Sequence, residues 1–247
     1  MLSFSPNVST TEIVQNLRHE ALSLVAKSQS AQPILRKKYA YHIEVFAKRD
    51  EGRKNVERFI EQGFLTSYNA TISISMPWIL AISTGFFKAA LGIRSATDPL
   101  FVEQYSEQPI ECILHDIYAP VLRSEIAEIG HLYSNAKKFT IPLFLTTAVS
   151  LFCNNYKFMV FAATENVLDL IERSGIAHQM ITPADPDKLT KSNNNWGAYY
   201  DTNPKVVAIS LSNVMQVINH NKKFCVMFEH LGQQISSTTQ KLKGCQL

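Results

Sequence analysis

Three residues of this sequence are candidate general bases: Glu103, Glu128 and His131. A carboxylate takes a proton directly or through water, and an imidazole with a pKa near about 6.5 is suited to proton transfer at neutral pH. Structural roles compete with this interpretation. Glu128 or Glu103 can form an ion pair with Arg94, which follows an apolar segment. Alternatively, Arg94 is a surface arginine. His131 can be a structural residue at a strand end, with its polar atoms hydrogen-bonded within the protein.

The spacing of Glu128 and His131 limits what they can do together. Both fall in a predicted strand at 126–132, where Glu128 and Gly130 face one side of the sheet while Ile129 and His131 face the other. A regular strand therefore cannot aim both side chains at one substrate. Either a bulge at Gly130 re-aims one of them, or only one of them is catalytic.

The segment after this strand has the features of an anion site. The polar loop 133–138 leads into a predicted helix, so free backbone N–H groups and the positive end of the helix dipole meet there. Lys137 and Lys138 add positive charge. Most loops of this kind bind nothing, so the pattern alone is a weak indication of anion binding.

Aromatic side chains stand out in the long polar loop 182–203. Trp196, Tyr199 and Tyr200 lie there, where such residues are less expected than in a core. They either line a ligand pocket or hold the loop against the sheet.

Other kinds of catalytic chemistry have less support. No Ser/His/Asp or Cys/His arrangement stands out, so covalent catalysis is not predicted. His115, Asp116 and His220 occur without a recurring ligand spacing, so no metal site is predicted either.

The elements that must position these residues alternate between strand and helix patterns. The predicted strands are 39–47, 78–83, 86–94, 126–132, 158–163, 176–181 and 206–211. The predicted helices are 10–27, 53–65, 106–117, 140–153, 165–174 and the segment after 211. A hairpin at Thr84-Gly85 followed by strand–helix–strand–helix–strand predicts an α/β (α+β) protein with a central mixed sheet flanked by helices.

The composition narrows the class of protein. The 247 residues are 46% hydrophobic and 18% charged, with a net charge of +3, which is typical of a globular protein with a sizeable core and does not indicate a nucleic-acid partner. No apolar run is long enough to span a membrane, and the first residues lack the pattern of a secretory signal. Four cysteines without a CxxC motif favour reduced thiols. We therefore expect a cytoplasmic protein without stable membrane insertion.

Four segments resemble the thermostable hemolysin family in order and spacing, over about residues 40–212. They are IRSA at 93–96 with PLFVEQY at 99–105 and QPIE at 108–111, then EIGHL at 128–132, PADP at 183–186 with Leu189, and WGAYYD at 196–201. The chain departs from the family pattern at Ile74-Ser75, where a histidine and an aromatic residue are usual, and at His131, where asparagine is usual. The loop 133–138 also lacks the usual glycine and helix-starting arginine. Residues 1–38 resemble an added N-terminal helical extension before a domain over 39–247.

This family is in turn similar to the acyl-homoserine-lactone synthases, whose Glu-x-Ser-Arg-Phe strand resembles Glu128-x-Gly-x-Leu. The resemblance implies a GNAT-like acyltransferase fold in which the strands 126–132 and 158–163 are adjacent, parallel and splayed. It implies an N-acyltransferase of lipid biosynthesis, which moves a fatty-acyl group to a small amine acceptor. The donor would be a thioester on CoA or on the pantetheine arm of acyl carrier protein, with no permanently bound cofactor. The donor's phosphate would lie at the loop 133–138.

Under this hypothesis, the three possible bases are catalytic and converge in one cleft, with Glu128 favoured. Six further residues bind substrate: Arg94, Asn135, Lys137, Trp196, Tyr199 and Tyr200. Two alternatives remain, a membrane-active hemolysin and a catalytically silent GNAT-like binding module.

Overall fold

A computed structural model of the protein describes residues 15–20, 22–23, 41–118, 120–190 and 194–243. Seven strands form one sheet: β1 (His42–Ala47), β2 (Trp78–Ser83), β3 (Phe87–Ser95), β4 (Ile126–Ser134), β5 (Phe158–Ala163), β6 (Gln179–Pro183) and β7 (Lys205–Ser210). The helices with named bounds are α1 (Arg53–Tyr68), α2 (Ile110–Ile117), α3 (Thr140–Cys153), α4 (Glu165–Arg173), α5 (Leu211–His220) and α6 (Lys222–Lys243).

The strand order is β1-β2-β3-β4-β5-β7-β6. Neighbouring strands are antiparallel except for β4 and β5, which are parallel. The expected mixed sheet is confirmed, and so is the expectation that the strands 126–132 and 158–163 are adjacent and parallel. This is the GNAT-like arrangement that the resemblance implied.

Helices cover both faces of this sheet. On one face, α3 is apolar around nearly its whole circumference, and it packs between the sheet and the helices α5 and α6. On the other face, α1 lies against β2, β3 and β4 through one apolar stripe, which includes Val56, Ile60 and Phe64. The sheet between them is the centre of the core, because its middle strands are buried on both sides.

Several predicted boundaries shift by a few residues, and two of these shifts have clear local reasons. The predicted helix 106–117 begins only at Ile110, because Pro109 precedes it and the chain before it forms a separate 3₁₀ turn at Val102–Tyr105. The strand predicted at 176–181 begins at Gln179, because Ile176 closes the end of α4: its N–H donates to the carbonyl of Ile171.

The N-terminal helix predicted at 10–27 is helical at 15–20 and 22–23. Its other residues, and most of the predicted extension 1–38, lie outside the described residues. Within the described part of the chain, every helix is too short or too polar to cross a bilayer.

Candidate active site

The parallel strands β4 and β5 form a wedge. Their ladder has only three residue pairs, from Ile126–Phe158 to Glu128–Val160. Beyond Glu128 the two strands no longer pair with each other, although both continue. A pocket of about 100 Å³ opens between them, lined on one side by residues 128–132 and on the other by residues 161–164. The splay expected of this fold therefore creates the site.

The pocket is mainly aromatic. The aromatic residues of its wall are Phe64, Tyr68, Phe101, Tyr105, Phe161, Trp196 and Tyr199. Glu128 and His131 are the other ionisable groups of the wall, and no lysine or arginine among the described residues lines it. The pocket is thus suited to an apolar or a cationic group, and it offers no positive charge to an anion.

A bulge in β4 brings Glu128 and His131 to the same pocket. Gly130 pairs with Gly92 and Tyr133 pairs with Ala90, so β4 advances three residues where β3 advances two. His131 takes up the extra residue with a φ of 53°, in the left-handed region that non-glycine residues seldom adopt. One of the two alternatives from the sequence was a bulge at Gly130. The structure has a bulge, and it lies one residue later, at His131.

Glu128 is almost completely buried and is held by backbone groups. Its Oε2 accepts from the N–H of Phe101 at 3.0 Å, and its Oε1 accepts from the N–H of Val102 at 2.8 Å. Nη1 of Arg94 lies 3.7 Å from Oε2 of Glu128. Burial raises the pKa of Glu128, against the opposite effect of the two N–H groups and of Arg94. Glu128 therefore anchors the segment 101–102 and also lines the pocket, while its catalytic role stays a prediction.

Glu103 lies outside the pocket, so its expected convergence with Glu128 and His131 is not found. Its two oxygens accept from Arg123 at 2.6 and 2.8 Å and from the backbone N–H groups of Leu100 and Ile110. Burial raises its pKa, but these four hydrogen bonds outweigh burial, and the pKa is lowered overall. Glu103 joins the start of α2 to the turn before it.

Arg94 pairs with Glu128 and not with Glu103, so one of its two expected pairings is present. Its Nη1 donates to the carbonyl of Pro99 at 3.0 Å, and its Nη2 donates to Oγ of Ser75 at 3.1 Å. Arg94 does not line the pocket itself. Instead it ties together two chain segments that surround the pocket.

His131 is partly buried, and its Nδ1 is shielded from solvent and has no hydrogen-bond partner among the described residues. Burial lowers the pKa of His131 to about 4, and the charges of Arg94 and Arg53 act in the same direction. The imidazole is therefore neutral at neutral pH. It is a weaker base than its ordinary pKa suggested, and it keeps one N–H for donation.

Two of the three aromatic residues predicted from the loop reach the pocket. Trp196 and Tyr199 line it. Tyr200 does not, but its hydroxyl lies 2.6 Å from the hydroxyl of Tyr105, which is part of the wall. Gly197 has a φ of 51°, and a Cβ there would overlap the carbonyl oxygen of Tyr68. The glycine lets the loop seat Trp196 closely against the end of α1.

The segment predicted as the loop 133–138 begins inside β4, which continues to Ser134, and then folds back against β3. The backbone N–H of Asn135 donates to the carbonyl of Lys88 at 3.0 Å, and its side-chain amide donates to the carbonyl of Phe87 at 3.4 Å. Neither Asn135 nor Lys137 lines the pocket. Their role at a donor phosphate remains a prediction.

The pocket also contains residues that sequence reasoning missed. Tyr68 comes from α1, Phe101 and Tyr105 come from the 3₁₀ turn, and Met76 comes from the segment before β2. The position of Met76 was indicated in the sequence by two glycines. A Cβ at Gly92 or Gly130 would overlap its side chain, and two paired glycines inside apolar strands mark the close approach of another group.

The chain is similar to one protein family and to several solved structures. The family model of thermostable hemolysin matches residues 46–215. No curated protein gives a significant match. Among solved structures, the AHL synthase LasI is 14% identical, with 69% of this chain and 90% of that chain covered and a TM-score of 0.48. The CoA-dependent acyl-homoserine lactone synthase BjaI, with SAM and isopentyl-CoA, is 9% identical, covering 81% and 99%, with a TM-score of 0.46. An N-acetyltransferase from Staphylococcus aureus Mu50 is 10% identical, covering 69% and 99%, with a TM-score of 0.39.

Proposed function

Because the chain belongs to the thermostable hemolysin family, we propose that it is an N-acyltransferase that moves a fatty-acyl group from a thioester to a small amine. The donor would be acyl-CoA or acyl carrier protein. The observation that carries this proposal is the wedge between β4 and β5, with a buried carboxylate at its apex.

The open strand edges suit the donor. Past Glu128, β4 and β5 do not pair with each other, so a ligand can bind to backbone groups at their facing edges, where the hydroxyl of Tyr199 already donates to the carbonyl of Ala162 at 3.4 Å. A pantetheine arm is a thin chain with two amide groups, and it can bind between the strands as a short extra strand does. The thioester would then lie beside the bulge at His131.

The walls suit an amine acceptor. Tyr68, Trp196 and Tyr199 offer aromatic rings, and Glu128 offers a negative charge when ionised. Aromatic faces attract organic cations by about 0.5–2 kcal/mol. No lysine or arginine of the described residues lines the pocket itself, and the carboxylate of Glu128, when ionised, would attract an ammonium group.

The reaction needs a base, and Glu128 is the best-placed group. An ammonium acceptor must lose one proton before its nitrogen attacks the thioester carbon. The nitrogen–carbon bond then forms, the carbon–sulfur bond breaks, and the nitrogen's second proton ends on the departing thiolate. Glu128 would take the first proton, and its raised pKa makes it a stronger base than an ordinary glutamate. Arg94 would hold the carboxylate in place.

Two measurements test the proposal. Purified protein is incubated with acyl-CoA or acyl carrier protein and with candidate amines, and free thiol is measured together with the mass of the amide formed. Lipids from cells that produce the wild-type protein are compared by mass spectrometry with lipids from cells that produce Glu128→Gln. We expect amine-dependent thiol release, and an N-acyl lipid that the variant fails to make. If no donor supports amine-dependent release and the lipids are identical, the proposal is wrong.

A further inference from the structure

One end of the sheet has an exposed phenylalanine beside three lysines. Phe86 lies at the tip of the β2–β3 hairpin and is 82% exposed. Lys88 follows in β3 and is partly exposed, while Lys137 and Lys138 are exposed in the 3₁₀ turn after β4. The two segments are joined by the backbone, because the N–H of Asn135 donates to the carbonyl of Lys88 at 3.0 Å. We call these four residues, Phe86, Lys88, Lys137 and Lys138, the tip surface.

The hairpin does not need a phenylalanine at its tip. Gly85 is the left-handed residue of the turn, with a φ of 90°, and Phe86 contributes only its carbonyl, which accepts from the N–H of Thr84 at 3.0 Å. Any residue provides that carbonyl, and polar residues are usual at such turns. The ring of Phe87, by contrast, packs against Phe59 in the core. The fold therefore does not explain why residue 86 is a large apolar one.

The charge of the tip surface is positive and is not balanced locally. Residues 84–88 and 134–140 contain three lysines and no aspartate or glutamate. Within the described chain, none of these lysines forms a salt bridge. The ammonium of Lys138 lies 5.0 Å from the ring centre of Phe139, a contact that leaves its charge in place. The tip surface therefore attracts an anionic partner.

An exposed ring beside cations matches the surface of an anionic membrane. Negatively charged lipid headgroups attract lysines that lie near the bilayer surface. A projecting aromatic ring reaches the boundary of the acyl chains, while long lysine side chains keep their ammonium groups among the headgroups. A small phosphate compound would bind the lysines but would gain nothing from the ring of Phe86. A bilayer, unlike a protein partner, receives that ring without a matching pocket.

We propose that the tip surface binds reversibly to membranes that contain anionic phospholipid, with Phe86 inserted among the lipids and the three lysines against headgroup phosphates. The inference does not depend on the acyltransferase function, but it adds a location to it. β4 runs from Glu128, at the closed end of the wedge, to Ser134, beside the tip surface. The wedge therefore opens toward the end that would face the bilayer, and a fatty-acyl compound would have a short path between the two.

The first test measures binding of the full chain to lipid vesicles by flotation. One set of vesicles is phosphatidylcholine alone, and the other is phosphatidylcholine and phosphatidylglycerol in equal parts. We expect clear binding to the mixed vesicles, much weaker binding to the neutral ones, and a decrease with added salt, because salt screens the attraction. Equal binding to both sets, or no binding to either, would overturn the inference.

The second test locates the contact on the tip surface. Changing its three lysines together to glutamine should weaken binding to the mixed vesicles by about 100-fold, since each lysine near an anionic surface contributes about fivefold. Phe86→Ser should weaken it by about 10- to 100-fold through the lost burial of the ring, and Phe86→Trp should retain it. Melting curves of all variants should stay close to that of the wild type, because these side chains are largely exposed.

The matched control removes the same charge at the opposite end of the sheet. The segment 48–54 follows the end of β1 that is far from the hairpin tip, and its cations lie beside Asp50 and Glu51. The triple variant Lys48→Gln, Arg49→Gln and Lys54→Gln should bind the mixed vesicles as the wild type does. If it loses as much binding as the tip-lysine variant, net charge and not the tip surface is responsible, and the inference is wrong.

Three measurements distinguish a membrane from other partners. If CoA displaces the protein from vesicles while Phe86→Ser binds as the wild type does, the lysines form a phosphate site for a soluble donor, and the inference is wrong. It is also wrong if acyl carrier protein binds the tip surface in calorimetry and the vesicles do not. Dye-loaded vesicles should keep their dye, since release would mean disruption of the bilayer and not reversible contact. None of these measurements needs turnover, so the inference and the acyltransferase function can fail separately.

Discussion

Replacing Glu128 with glutamine changes one buried contact in a defined way. The carboxylate accepts from two backbone N–H groups, those of Phe101 and Val102. Glutamine has one acceptor oxygen, so its NH₂ must face the other N–H, donor against donor. Leaving one buried N–H without an acceptor costs about 1–3 kcal/mol. In a chain of this size, each kcal/mol lowers the melting temperature by about 2–4 °C.

The expected loss of activity is larger than this loss of stability. Removing a positioned base costs about 10²- to 10⁴-fold in rate, which corresponds to about 3–5 kcal/mol of barrier. At a temperature well below the melting point of the variant, almost all molecules remain folded. Unfolding then cannot account for a loss of this size, and slow turnover reports the missing base.

Glu103→Gln is the matched control, because Glu103 also accepts from two backbone N–H groups and forms an ion pair with an arginine but lies outside the pocket. Both variants should lose stability, and only Glu128→Gln should lose most of its thiol-release activity. Melting curves and initial rates on the same samples provide the comparison. If Glu128→Gln keeps wild-type turnover, or if both variants lose activity in proportion to stability, the assignment of Glu128 as the base is refuted.

Three further predictions concern other described residues. Burial lowers the pKa of His131 to about 4, so the stability that the neutral imidazole contributes is complete above its unfolded pKa of about 6.5 and is lost as the pH falls toward 4. The free energy of unfolding in urea should therefore fall less over that range for His131→Asn than for the wild type. An equal fall for both proteins would contradict this prediction. Gly130→Ala should cost about 1–3 kcal/mol by overlap with the terminal methyl group of Met76, and a double-mutant cycle with Met76→Ala, which removes that methyl group, should recover much of that cost; additive losses would show that the two residues are independent. Burial raises the pKa of Cys153 to about 11, whereas Cys112 is exposed, so peptide mass spectrometry after iodoacetamide should find Cys112 alkylated well before Cys153, and equal rates would contradict the burial.

Much of the fold follows from local patterns. The hairpin β2–β3, the helix α3 and the strand β5 have apolar runs of clear length, bounded by residues that end them, and their predicted bounds agree closely with the structure. The bulge position was harder to predict, because glycine is the residue expected in the left-handed region and His131 occupies it.

The partners of charged residues could not be predicted from sequence. Arg123 and Glu103 are separated by twenty positions and meet only through the fold of the segment between them. Arg94 had two carboxylates within reach by sequence, and the register of β3 against β4 selects Glu128, which is its cross-strand neighbour. Such pairings depend on tertiary geometry, and hydrophobic periodicity carries no information about it.

The three-pair ladder between β4 and β5 also has a mechanical consequence. It divides the sheet into a four-stranded half, β1 to β4, and a three-stranded half, β5 to β7, joined edge to edge at one short seam. If the halves pivot about that seam, displacement grows with distance from it. Glu128 stands at the seam and stays nearly still, while the far ends of the two strands move most. In the proposed reaction, such a joint would admit acyl chains of different bulk at its mouth and still present each one to the same carboxylate.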